Sequence, residues 1–303
     1  MKLRLDSYTL HLFVAVARTG SIAQAAREAH ISPSALSRRI ADLEELLRTP
    51  VFSRSPRGLE LTDAGRFVLG HAERIHGDIE TLVRDVWNLG EGELRGHIRL
   101  HTNPAALIGA LPERLRVFSE RHPGVTMSIV EDDTHRVLRA CLDDEADVGV
   151  GVSMATSPGL TQWPFVPDAI HAVYPREHAL ARVRGTLTFS QMLAYPLIGY
   201  RVGGALDSLM QTQARQLVAG FAPTVTVGSF DAICRMIEAG MGVALMPASA
   251  LRAYAGSPHF GSRPLQDTWA RARALDIYAM KREPQSPAVL ALIAVLQGVD
   301  STG

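Results

Sequence analysis

The chain has 303 residues, too many for a single hydrophobic core and enough for two or three domains. Its apolar fraction of 47% excludes general disorder, no apolar run approaches the roughly 18 residues of a membrane span, and the opening Met1-Lys2-Leu3-Arg4-Leu5-Asp6 lacks the apolar core of a secretory signal, so a soluble cytoplasmic protein with no membrane partner is expected. Net charge is zero, yet residues 1–58 hold nine Lys/Arg against five Asp/Glu while the rest holds 22 against 26, a basic N-terminal part on a slightly acidic body.

Residues 7–19 place Leu10, Phe13, Val14 and Ala17 at helical spacing, and Gly20 is a natural stop. Ser21 caps a short alanine-rich helix, which His30-Ile31 break. Ser32 caps a third helix, PSALSRRIADLEELL, with Pro33 at its first position, where a missing N–H costs nothing. Ala35, Leu36, Ile40, Leu43 and Leu47 are expected to form its buried stripe. Ser34, Ser37, Arg38 and Arg39 fall largely outside that stripe, near the N-terminal end. Two short helices joined by a tight turn, the second opening with exposed Ser and Arg, make the helix-turn-helix pattern. A helix N-terminus favours phosphate, Ser donates to phosphate or base edges, and Arg forks onto guanine. An ordinary three-helix bundle with solvated arginines fits the same pattern. The segment from Thr49 to Thr62 reads as a hairpin with a Pro/Gly tip. Its Arg54 and Arg57 make it a wing placed to reach a flanking phosphate or minor groove.

Thr62 caps a helix expected to run to about Leu89 and stop at Gly90. Positions 68, 72, 75, 79, 82, 86 and 89 are Val, Ala, Ile, Ile, Leu, Val and Leu, alternating steps of four and three as in a heptad seam. Such a helix spans roughly 40 Å. It points to a coiled coil with a second copy, which sets two reading helices on half-sites a turn of DNA, or a multiple, apart; a helix packed on its own protein is the alternative.

Glu91 to Gly96 reads as a charged hinge. Beyond it strands (HIRLHT, VTMSIVED, DVGVGV) alternate with helices (AALIGALPERLRVFSERH, THRVLRACLDDE), an order that implies a parallel sheet. A second set has strands at AIHAVYP, LIGY, TVTVG and VALMP and helices near FSQMLA, LDSLMQTQARQLV and FDAICRMIEAG. A strand near ALDIYAM and a helix behind Ser286 close the chain. The fold class is therefore α/β, with two lobes and a cleft between them suited to a ligand. Ligands sit beyond the carboxyl ends of parallel strands, where helix N-termini offer free N–H groups. That rule nominates Thr102, Asn103 and Thr134 in the first lobe. In the second it nominates Tyr200, Arg201, Gly203, Gly204, Ser229, Phe230 and Asp231. Arg201 suits a ligand carboxylate and Asp231 an ammonium, which suggests a carboxylate or amino-acid effector. Each of these residues equally fits a cap or a turn.

No catalytic constellation appears, and neither a cofactor nor a metal is expected. The eleven histidines lack metal-ligand spacing, and there is no GxSxG elbow or Walker loop. Cys141 and Cys234 lie in no ligand cluster and read as core residues, with a redox switch as the alternative.

The run AAREAHISPSALSRRIADLEELLRTPVFSRSPRGLELTDAG resembles the winged helix-turn-helix of the LysR-type transcriptional regulators, carrying SALSRRIADLE and then FSRSPRGLELTDAG in the family's order and spacing. It departs at Pro33-Ser34, where most relatives have Gln-Pro, and at Arg39, where Gln is frequent. The segments PGVTMSIVEDDTHRVLRACLDDEADVGV, VYPREHALA and SFDAICRMIEAGMGVALMP are similar to the family's effector domain, which has the type II periplasmic-binding-protein fold. The resemblance implies a DNA-binding domain at 1–61, a dimerising linker helix at 62–90 and an effector-binding domain at 91–303. It places the first lobe near 92–162 plus the C-terminal stretch. It gives Ser37, Arg38 and the wing arginines a phosphate-positioning role, with effector contacts at the cleft positions above. It also implies a homodimer or homotetramer on promoter DNA, with RNA polymerase a further partner, whose binding or bending of DNA responds to a small molecule. The competing reading is a two-lobe ligand-binding protein or enzyme whose N-terminal helices serve only assembly.

Overall fold

The structure is a computed structural model that describes residues 5–55, 58–87, 94–155, 158–217, 222–282 and 285–299. The chain divides into two compact units, Met1–Gly90 and Glu91–Gly303.

The first unit contains α1 (Ser7–Thr19), α2 (Ile22–Glu28), α3 (Pro33–Leu47), the hairpin of β1 (Phe52–Ser55) and β2 (Gly58–Leu61), and α4 (Asp63–Trp87). Every helix start has a local side-chain cap. Asp6, Ser21, Ser32 and Thr62 accept the N–H of Thr9, Gln24, Ala35 and Gly65. Gly20 closes α1 in the left-handed conformation, and His30 adopts φ +55° to turn the chain from α2 into α3. Leu12, Phe13 and Val16 of α1, Ala25 and Ala26 of α2, and Leu36, Ile40 and Leu43 of α3 form the buried core. The small alanines let α2 approach its neighbours closely. Ala35 and Leu47, expected in the stripe of α3, are exposed. Ala35 lies about 100° round the helix from Leu36, and Leu47 sits one turn beyond Leu43.

The first turn of α4 rests on the loop before the wing. A Cβ at Gly65 would collide with the carbonyl oxygen of Val51, so the AG that follows the Thr62 cap has a steric reason. Val68, Leu69 and Ala72 pack into the core of this unit. Beyond them the apolar positions emerge: Ile75 is 40% exposed, Ile79 39%, Leu82 63% and Val86 56%. Leu89 and Gly90 lie outside the described residues.

The second unit opens with β3 (Gly96–Thr102), α5 (Pro104–Ile108), α6 (Leu111–Arg121), β4 (Val125–Glu131), α7 (Thr134–Leu142), β5 (Val148–Val152) and β6 (Leu160–Pro167). It continues through β7 (Ile170–Pro175), α8 (Phe189–Met192), β8 (Leu197–Tyr200), α9 (Ala205–Leu217), β9 (Val225–Val227), α10 (Phe230–Glu238), β10 (Val243–Pro247) and α11 (Ala248–Leu251). It ends with β11 (Phe260–Pro264), α12 (Thr268–Arg271), β12 (Ala274–Met280) and α13 (Pro287–Gln297). Two five-stranded sheets result, ordered β4-β3-β5-β12-β6 and β11-β7-β10-β8-β9. Each has its own buried core, around Leu100, Phe118 and Ile277 in one lobe and Phe189, Ile198 and Ile233 in the other.

Both sheets are mixed rather than wholly parallel. The βαβ units do give parallel pairs, β3 with β4 and β5, and β8 with β9 and β10. The strands that leave and re-enter a lobe, β6, β7 and β12, pair antiparallel. The first lobe therefore extends to Pro167 and regains the chain at Ala274, rather than ending near residue 162. The helix expected over 105–122 is two helices. Pro112 belongs in a first turn, where its missing N–H is harmless. Gly109 breaks the chain with φ −96° and ψ −112°, and a Cβ there would come within 2.8 Å of Ser249 Cβ. Strands β6 and β11 add to the strands expected from the sequence. Both are edge strands, and β6 carries Pro164 and Pro167, which only an edge tolerates. No helix among the described residues is long and apolar enough to cross a membrane.

Candidate functional site

Two places gather the nominated residues, one in each unit. In the first, Ser32 Oγ caps α3 and lies 3.1 Å from Ser34 Oγ, and Pro33 occupies the first turn. Ser34, Ser37 and Arg38 are exposed on the N-terminal half of the same helix. Arg39 behaves differently. Its Nη1 donates to Thr9 Oγ1 at 2.8 Å and pairs with Asp6 Oδ2 at 3.2 Å, and its guanidinium lies 5.1 Å from the Tyr8 ring. The Asp6 carboxyl is held below its usual range by the Thr9 N–H and hydroxyl, with Arg39 adding to the effect. Arg39 thus fastens α3 to the start of α1. The wing is fastened too: Leu59 N–H donates to Gly20 O at 2.9 Å, and a Cβ at Gly58 would come within 2.8 Å of that oxygen. Arg54 stands in β1 opposite Leu59, and Arg57 lies outside the described residues.

In the second unit the strand ends and helix starts converge as the topology requires. Asn103 Oδ1 caps α5 by accepting the Ala106 N–H at 2.9 Å. Asp133 caps α7, and the buried Thr134 Oγ1 accepts the Val152 N–H at 3.1 Å, tying α7 to the end of β5. Tyr200, at the end of β8, stacks on Phe230, the first residue of α10, with ring centroids 4.3 Å apart and planes within 10°. Burial pushes the Tyr200 phenol up, and its Oη has no hydrogen-bond partner among the described residues. An unsatisfied buried hydroxyl is destabilising by about 1–3 kcal/mol, which a ligand oxygen would relieve.

Arg201 bridges the lobes. Its Nε donates to Gly228 O at 2.9 Å and its Nη2 to Glu131 Oε1, at the end of β4, at 3.1 Å. It does so at φ +36°, a left-handed conformation unusual for a residue with a Cβ. Asn103, Thr134, Tyr200, Arg201, Gly204 and Phe230 line one cavity. The other four nominated residues turn elsewhere. Thr102 is buried and donates to Asn103 O, Ser229 Oγ caps α10, Gly203 N–H donates to Asp207, and Asp231 stands in the first turn of α10 off the cavity wall. The cavity measures about 40 Å³. Ligand sites usually measure roughly 300–1,000 Å³, so this cavity must widen to hold a ligand of ordinary size.

Arg273, which no sequence signal nominates, also lines the cavity. It pairs through Nη1 with Asp168, whose side chain is wholly buried and whose Oδ1 accepts the Ser249 N–H at 2.8 Å. The partners are 105 residues apart, so no local pattern announces them. Cys141 and Cys234 are both buried, and burial pushes their thiols up to about 12 and about 11, as suits core residues. Among the described residues no group of three or more His, Cys, Asp or Glu side chains is arranged to hold a metal ion.

Comparison with known proteins agrees with both halves. Residues 8–66 match the family described as bacterial regulatory helix-turn-helix protein, lysR family, and residues 91–300 match the LysR substrate binding domain. The chain is 29% identical over 248 residues to the HTH-type transcriptional regulator YofA of Bacillus velezensis, covering 82% of this chain and 83% of that one. It is 31% identical to the SDS degradation transcriptional activation protein of a Pseudomonas species, covering 78% and 82%. Among solved structures, a full-length OxyR variant from Pseudomonas aeruginosa superposes with TM-score 0.72 at 19% identity, covering 97% and 95%. Full-length CbnR complexed with target DNA superposes with TM-score 0.69 at 21% identity, covering 97% and 100%. At those identities the two structures establish a shared fold.

Proposed function

The chain belongs to the LysR family of bacterial helix-turn-helix transcriptional regulators, and from that premise we propose how its own residues carry the work. Residues 1–61 read double-stranded promoter DNA, α4 within 62–90 pairs two copies, and 91–303 bind a small effector that alters promoter binding or bending. The protein acts in the cytoplasm without catalysing a reaction, as a dimer or tetramer, with RNA polymerase as a further partner.

The observation that carries the DNA reading is the exposed row Ser34, Ser37 and Arg38 on the N-terminal half of a helix capped by Ser32. Hydroxyls, a guanidinium and the positive end of a helix dipole together suit phosphate and base edges. Arg54 and Arg57 on the wing extend the same electrostatic footprint. Arg39 acts as a fastener between helices rather than as a DNA contact. In the effector unit the contacts are five of the nominated residues that line the cavity, Asn103, Thr134, Tyr200, Gly204 and Phe230, with Arg201 at its mouth held by Gly228 O and Glu131.

Salt dependence tests this. With Arg38, Arg54 and Arg57 on each of two half-sites, about six phosphates are neutralised, which gives a log–log slope of affinity against salt of about −5. Arg38→Ala lowers the slope by about 2, one phosphate per half-site. Failure to bind duplex DNA even at low salt would favour the competing reading, a ligand-binding protein whose N-terminal helices serve only assembly.

A further inference from the structure

The chain passes between the lobes twice, once after β6 at Asp168 and once before β12 at Arg273. The two crossings run side by side and are clamped together. Asp168 N–H donates to Arg273 O at 3.0 Å, Arg273 Nη1 donates to Asp168 O at 3.1 Å, and the two side chains form an ion pair. The Asp168 carboxylate is held in turn by the Ser249 N–H at the start of α11. This clamp is the hinge of the effector unit, and one of its members, Arg273, also forms part of the cavity wall.

We propose that Arg273 is the seat of the effector's acidic group, and that Arg201 instead serves to close the cavity mouth. The inference rests on the reading of the cleft as the effector site. A guanidinium presents five N–H donors, and the edge made by Nε and one Nη matches a carboxylate in bidentate fashion. In Arg201 that edge is occupied, Nε by Gly228 O and Nη2 by Glu131, and 39% of the side chain is exposed to solvent, which weakens any ion pair it makes. In Arg273 only Nη1 is engaged. Nε and Nη2 carry no hydrogen bond among the described residues, and the side chain is only 6% exposed. The open edge of a buried guanidinium outcompetes an occupied edge in water. One open edge implies one acidic group. The stacked Tyr200 and Phe230 with Leu206, Val152 and Pro247 provide an apolar wall. The ligand class is therefore a small monocarboxylate with an apolar body. Because Arg273 also holds Asp168, the bound carboxylate shares the guanidinium that clamps the two crossings, which links occupancy directly to the hinge.

The test is calorimetric titration of the full-length protein with phenylacetate and 3-methylbutanoate, beside the neutral phenylacetamide and 3-methylbutanamide. The acids bind and the amides do not. Arg273→Lys keeps a charge for Asp168 but loses the fork, and it weakens binding by about tenfold or more, whereas Arg201→Gln changes it by less than about threefold. If Arg273→Lys does not fold, as judged by circular dichroism, the neutral pair Asp168→Asn with Arg273→Gln replaces it, and the same loss is expected. Phe230→Ala, which trims the apolar wall, separates the two levels of the argument. Binding that falls with Phe230→Ala but not with Arg273→Lys overturns this inference and leaves the cleft reading standing. Binding untouched by either variant overturns both. Failure of both acids to bind the unmodified protein refutes the monocarboxylate seat.

Discussion

Replacing Ile79 with Asp asks whether the exposed stripe on α4 is a dimer seam. Ile79 is 39% exposed, so about three-fifths of it is already covered within its own unit. Full burial of an isoleucine is worth about 1.5–3 kcal/mol. A partner covering the remaining two-fifths adds only ~1 kcal/mol per copy, or ~2 kcal/mol across a two-fold pair. Ile79→Ala should therefore weaken the dimer by only about thirtyfold. Ile79→Asp adds a different cost: two carboxylates face each other in a desolvated seam, at several kcal/mol per ion. The sum exceeds ~5 kcal/mol, more than three decades in the dimer dissociation constant. Sedimentation equilibrium across nanomolar to micromolar protein reads that shift, and circular dichroism checks that the helix persists. On a duplex with two half-sites the Asp variant binds as weakly as a single reading head. If Ile79→Asp and Ile79→Ala behaved alike, the position would not be desolvated on association, and the seam would have to lie on another face of α4.

Three further outcomes follow from the geometry of the first unit, and one from the buried thiols. Arg39→Ala leaves the salt slope of DNA binding at the unmodified value, because its guanidinium is held by Thr9 and Asp6; a slope reduced as in Arg38→Ala would show that it reaches phosphate. The Asp6 carboxyl titrates below its ordinary 3.8, so its stabilisation is complete above that value and is lost as pH falls through the lower folded value. Acid unfolding of the first unit below about pH 4 should accordingly be less steep in Asp6→Asn. Gly65→Ala drives a Cβ into the Val51 carbonyl, which cannot move without opening the loop before the wing. A loss of about 2–3 kcal/mol is expected, about 10 °C or more in the melting temperature of that unit, and an unchanged melting curve would refute the close approach. Finally, Ellman's reagent should find neither thiol in the folded protein and both after denaturation, since burial holds Cys141 at about 12 and Cys234 at about 11.

What could be read from the chain follows the range over which each element is decided. The four helices of the first unit were legible because each start carries its own cap within a few residues, as Ser32 does for α3 through the Ala35 N–H. The helix α4 was legible as well, because its apolar positions recur every three or four residues along the chain. The parallel parts of both sheets follow from βαβ order. Strand β6 was not legible, because its prolines read as breaks and its pairing partner β12 lies more than a hundred residues away, with Asp276 opposite Pro164.

Cleft residues divide along the same line. Cap signals locate helix starts, and so found the cavity neighbourhood, but they do not say which way a side chain turns. For Thr102 a signal did exist: it shares the period-two face of Ile98 and Leu100, which is the buried face of β3. For Arg39 one existed too, since it sits three residues after Leu36 and borders the buried stripe next to α1. Nothing comparable marks Arg273. Its role depends on Asp168, on the Ser249 N–H and on two crossings meeting at one point, and each of those is fixed only when both lobes are folded. A binding residue defined by long-range pairing leaves no periodicity and no cap behind. The residues that couple a ligand to a hinge are, for that reason, those a chain reveals last.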